Sequence, residues 1–134
     1  MRLLVLCNAK ECDTIIYIIW KEYEKMATFD DFLKLDIRAG TVVSAEINKK
    51  ARKPAYKLSI DFGEEIGIKT SSAQITKHYA ADDLVGRQVL AVVNFPPRQI
   101  AEVMSEVLVL GTYSEGGVVL AVPDKKVENG DRLG

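Results

Sequence analysis

The chain has 134 residues but only one histidine and two cysteines. A site built from several imidazoles, or a histidine dyad, would therefore need identical subunits to meet. Cys7 and Cys12 have no neighbouring histidine and no second cysteine pair, so they match no zinc-ligand spacing. Two thiols make no disulfide framework and fit a reducing cytoplasm, where they read as bystanders. Long apolar runs are also missing. Ile15–Trp20 falls far short of the ~20 residues of a membrane span. The short run Met1–Cys7 is broken by Lys10, Glu11 and Asp13, with no small-residue cleavage site of the kind a secretory signal carries. Neither export nor membrane insertion is expected.

Charge of one sign is absent from the total: 18 Lys and Arg against 19 Asp and Glu give −1. Taken over the whole chain, that argues against very tight, purely electrostatic nucleic-acid binding. Catalytic motifs are lacking too, with no nucleophile elbow, P-loop, dinucleotide fingerprint or His-Glu-x-x-His. His78 lies in the polar stretch Lys77-His78-Tyr79 and reads as a surface or capping residue rather than a general base. The acidic pairs Asp30/Asp31, Glu64/Glu65 and Asp82/Asp83 fall at caps and turns. No catalytic residue, metal site or cofactor is expected, and the chain does not read as an enzyme.

What is present is an ordinary globular composition, 48% hydrophobic and 28% charged, enough for one domain. Residues 1–25 differ from the rest, holding both cysteines, the lone Trp20 and the cluster Ile15, Ile16, Ile18, Ile19. They read either as an N-terminal extension or as a short strand or helix packed on the domain of residues 32–134. Thr28 can cap a short N-terminal helix with Asp30 and Asp31 in its first turn.

Alternation then takes over. Asp36–Ile47 reads as a long strand with Ile37, Val43, Ala45 and Ile47 on one face and Gly40 as a bend or bulge. Leu58, Ile60 and Phe62 point inward from the next strand, Lys57–Phe62. A third strand, Ile66–Ser72, follows a glycine-bounded turn, and Ala73–Leu84 is the helical candidate. Strands over Arg87–Phe95, Ser105–Tyr113 and Val118–Val122 and a turn at Asn129-Gly130 complete the chain. This order predicts an all-β fold with short helices: a five-stranded OB-fold barrel with a helix between strands 3 and 4. Val89–Val93 and Val107–Leu110 are apolar on both parities, so both faces need cover. A homodimer supplies it most economically.

The distribution of charge is more informative than its sum. Residues 38–98 carry ten Lys and Arg against six Asp and Glu, and residues 99–134 carry three against six. A basic middle that includes Arg38, Lys69, Lys77 and Arg98, with Tyr56, Phe62 and Tyr79 for stacking, can hold a nucleic-acid backbone. Solvated surface lysines explain the same residues equally. Pro96-Pro97 stiffens the chain ahead of Arg98 and Gln99. Ser71, Ser72 and Gln74 read as the start of a helix, where free amides could hold an anion.

Five segments, taken together, resemble the CsaA-type secretion chaperones of the tRNA-binding-domain family. They are Lys34–Val42, Pro54–Leu58 with Ile60–Gly63, Gly67–Thr76, Val92–Ala101 and Ser105–Gly111. The likeness covers residues 28–134 and leaves 1–25 outside. It implies a dimeric OB-fold without catalysis that binds either tRNA or unfolded precursor proteins bound for the Sec export machinery. Asn94, Ser105 and Glu106 match motif positions of the family, and Glu106 is expected to order its loop rather than touch phosphate.

Overall fold

The computed structural model describes residues 13–134, so the cysteines lie outside the described residues. Two compact units divide the chain, the second being Leu35–Gly134. The described part of the first unit holds helices α1 (Asp13–Glu24) and α2 (Phe29–Leu33). Along α1, Trp20 stacks on Tyr23 with ring centroids 6.1 Å apart. Helix α2 starts where the sequence places a cap. Thr28 Oγ1 accepts from the Asp31 amide, and the Asp31 carboxylate accepts from the Thr28 amide in return. These hydrogen bonds, the backbone one foremost, hold the Asp31 carboxyl below its ordinary value, because they favour the charged form. Among the described residues no helix is long and apolar enough to cross a membrane.

The second unit is an OB-type barrel. Its strands are β1 (Ile37–Ile47), β2 (Tyr56–Asp61), β3 (Ile68–Ala73), β4 (Gln88–Val92) and β7 (Leu108–Val109), in the order β3-β2-β1-β4-β7. Two small hairpins complete it, β5 (Arg98–Ile100) with β6 (Val103–Ser105) and β8 (Gly111–Ser114) with β9 (Gly117–Leu120). Strand β2 alternates as its sequence requires. Tyr56, Leu58 and Ile60 are buried while Lys57, Ser59 and Asp61 are partly exposed, and Phe62 extends the buried row. Val42, Val89, Ala91, Leu84 and Leu120 close the same core.

Strand β1 departs from simple alternation. Its register against β2 shifts between Val42 and Ser44, so Val43 is the bulged residue, and such an insertion reverses the faces of everything beyond it. Val43 is accordingly exposed, while Ala45, beyond the bulge, packs on the core; Ile47, at the end of the strand, is exposed as well. Gly40 is not the bulge. A Cβ there would lie 2.7 Å from both Ile60 and the Phe62 ring, so glycine is needed for close approach.

The expected helix over Ala73–Leu84 shrinks to the single turn α3 (Ala81–Leu84) between β3 and β4. Residues 74–80 are tied down instead as an irregular connection: Ile75 is buried, and the Tyr56 hydroxyl donates to the Tyr79 carbonyl at 2.7 Å. Ser71 and Ser72 lie inside β3 rather than at a helix start. Tertiary anchoring overrides a local propensity that is weak to begin with.

The chain itself supplies part of the cover expected from a second subunit. The Leu90 amide donates to the Ala121 carbonyl and the Leu110 amide to the Leu90 carbonyl. Leu90, Val93, Val109 and Leu110 are half-buried, while Leu108 stays exposed. The acidic C-terminal segment is folded rather than a loose tail. The Ala39 amide donates to the Asp131 carbonyl and the Leu133 amide to the Ile37 carbonyl. Gln88 clasps the same segment, with its side-chain amide exchanging two hydrogen bonds with the Val127 backbone.

Candidate nucleic-acid interface

Two loops meet at one end of the barrel. L12, residues 48–55, joins β1 to β2. L45, residues 93–107, leaves β4, carries the β5–β6 hairpin and returns to β7. Asn48 ties them together. It is buried, and its Nδ2 donates to the Ile100 carbonyl (3.4 Å) and to Ser72 Oγ (3.5 Å). Lys50 forms an ion pair with Glu102 across the same junction. Between the loops lies a cavity of about 620 Å³, whose polar lining includes Lys50, Arg52, Lys53, Gln74, Arg98 and Gln99.

The chemistry of that lining is cationic. Arg52, Lys53 and Arg98 form no ion pair with any described acidic residue. Pro54 ends L12 and Pro96-Pro97 precede β5, so the segments bearing the cations are conformationally restricted. Such a groove suits an anionic backbone, and in an OB barrel this loop pair flanks the oligonucleotide-binding face.

The residues singled out from sequence separate into groups. Ser72, Gln74 and Arg98 line the cleft. Ser71, Ser105 and Glu106 instead stitch β3 to the end of L45. The Ser71 hydroxyl donates to the Val107 carbonyl (2.9 Å) and the Ser72 amide to Ser105 Oγ (3.1 Å). The Thr70 amide donates to Glu106 Oε2 (2.9 Å). Ser71 is 1% exposed, leaving it no surface to offer a ligand.

Arg38, Lys69, Lys77 and Arg98 do not converge. Arg38 grips Asp36 at 2.6 Å and donates to the Gly130 carbonyl at 2.9 Å, pinning the C-terminal segment to β1. The hydrogen bond to Asp36 raises the Arg38 guanidinium above its ordinary value, because it favours the charged form. Lys69 is half-buried on β3. Lys77 lies beside the Gly116-Gly117 turn of the β8–β9 hairpin. Asn94 Oδ1 accepts from the Asp36 amide at 2.9 Å, fixing the start of L45.

Sequence reasoning missed Lys50, Arg52 and Lys53 as individual site residues. Their signal was the run Lys49-Lys50-Ala51-Arg52-Lys53-Pro54, which reads as a basic loop until the fold sets Arg98 against it. Among the described residues no cluster of His, Cys, Asp and Glu could hold a metal ion.

Comparison with known proteins bears on the family of the chain. The family model for a tRNA binding domain matches residues 37–132. A CsaA chaperone structure from Picrophilus torridus is 52% identical with a TM-score of 0.78, aligned over 81% of this chain and 100% of that one. One from Bacillus anthracis str. Ames is 55% identical with a TM-score of 0.76, over 81% and 99%. A methionine–tRNA ligase of Porphyromonas gingivalis is 40% identical over 106 residues, 78% of this chain but 15% of the ligase. The chain thus spans about 15% of the length of that curated relative. It belongs to the tRNA binding domain family and, within it, groups with the CsaA chaperones.

Proposed function

We propose that the chain is a non-catalytic binding module that holds RNA of the tRNA class in the cleft between L12 and L45. One observation carries this reading: Arg52 and Lys53 from one loop and Arg98 from the other line a single cavity. The family match over residues 37–132 supports it. The module works in the cytoplasm as a homodimer, a state supported by exposed Leu108 on β7. The test is a salt titration of tRNA binding. Three to four cations in contact with phosphate give a log–log slope of about −2 to −4, at roughly −0.7 to −0.9 per phosphate. Salt-independent binding, or none at low salt, would remove the proposal.

A second reading has its own support, 52% and 55% identity to CsaA chaperones over essentially their whole length. On it, the same module binds unfolded precursor proteins and delivers them to the Sec export machinery. Preference for unfolded precursors over folded controls in a pull-down, persisting at high salt, would favour this reading over RNA.

A further inference from the structure

An acid stands at the rim of the cleft, paired with one of its cations. The β5–β6 hairpin turns through a two-residue tip, Ala101-Glu102. Ala101 has φ 55°, the only positive φ at a non-glycine residue among those described. A first tip position with φ > 0 is what the tight primed hairpin turns require, usually of glycine. The tip is then fixed from three sides. Gln99 Nε2 donates to the Ala101 carbonyl (2.7 Å), the buried Asn48 amide holds the Ile100 carbonyl (3.4 Å), and Glu102 pairs with Lys50. Lys50 borders the cleft while Glu102 lines the adjoining depression with Lys49 and Lys57. Both partners of the pair are largely exposed, at 66% and 68%. An ion pair that open to water is weak and exchanges readily.

We infer that Glu102 is a specificity-determining residue of the cleft, an internal carboxylate that competes with phosphate for the Lys50 ammonium. The inference rests on the RNA reading above. With Lys50 occupied, the cleft presents Arg52, Lys53 and Arg98 to any anion. Lys50 becomes available only to a ligand whose charge density outcompetes the carboxylate. A continuous phosphodiester backbone meets that condition, because it places several phosphates beside Lys50 at once. A single carboxylate on a polypeptide does not. Glu102 therefore lowers general affinity for anions and biases the cleft toward polyanions.

The test uses the full chain and bulk tRNA, with anisotropy measured between 50 and 300 mM salt. Glu102→Gln is expected to bind about three- to tenfold more tightly at the low end with an unchanged slope, because Lys50 meets a phosphate in both complexes and only the competing carboxylate is gone. Lys50→Gln is expected to weaken binding and to flatten the slope by roughly 0.7–0.9, because it removes one phosphate contact. The double substitution is expected to keep that flatter slope. Glu115→Gln, at the tip of the other hairpin, removes the same charge elsewhere and is expected to leave the affinity unchanged. Wild-type affinity in Glu102→Gln overturns the inference alone, as does an equal gain in Glu115→Gln. Absence of tRNA binding by the wild type and every variant overturns both the inference and the RNA reading beneath it.

Discussion

Replacing Arg52, Lys53 and Arg98 together by glutamate is expected to weaken tRNA binding at least about 100-fold near 100 mM salt. Each residue is placed to neutralise a phosphate in one cavity, and reversal both removes that contact and sets a like charge against the backbone. The corresponding glutamine variants separate these effects, since each is expected to reduce the salt slope by about 0.7–0.9. The control is Lys125→Glu with Lys126→Glu. These residues line a different depression with Gly86, Arg87 and Pro123, and their reversal changes net charge without touching the cleft. If the control pair loses as much affinity as the cleft triple, attraction is diffuse and the cleft has no special part in binding.

The second large effect concerns the core. Phe62 is 1% exposed and lies beneath Gly40, where an added Cβ would approach the ring to 2.7 Å. Phe62→Ala is expected to cost about 3–5 kcal/mol, much of the stability of a domain this size. That corresponds to a fall in melting temperature of about 15 °C or more. Gly40→Val introduces the opposite fault, overpacking, at about 1–3 kcal/mol or more. Because the two residues share one space, their effects are expected to couple. Gly40→Ala should be markedly less damaging in a Phe62→Leu background than alone. Urea denaturation checks this, and strictly additive effects would show that the ring and the glycine do not share the space.

Much of the barrel was legible because its strongest elements depend on local rules. Leu58, Ile60 and Phe62 recur every second residue, and the Thr28–Asp31 cap satisfies helix-end amides within four residues of chain. The misreadings have a common physical origin in long-range constraint. On β1, one bulged residue at Val43 reverses the facing set, and nothing in the local alternation marks it. Over 74–80, apolar residues at near-helical spacing are held instead by Tyr56, from β2.

The site shows the same division. Arg98 was visible as a cation behind two stiffening prolines, but its partners on L12 are about 45 residues earlier in the chain. Arg38 looked equally available, yet Asp36 and the Gly130 carbonyl occupy it. Charge counted along the sequence therefore found the basic region without showing which of its cations are free. The Ser105-Glu106 pair is a motif in sequence, and its hydrogen bonds to the β3 backbone form only when the barrel closes.

The most direct measurement is an amide chemical-shift footprint of the isotope-labelled protein titrated with tRNA at low salt. RNA held in the cleft perturbs residues 50–55, 72–74 and 98–102, while the depression lined by Thr41, Gln88 and Lys126 stays silent. Perturbations centred on residues 122–131, or on the β8–β9 hairpin, with the cleft unaffected, would contradict a binding site between L12 and L45.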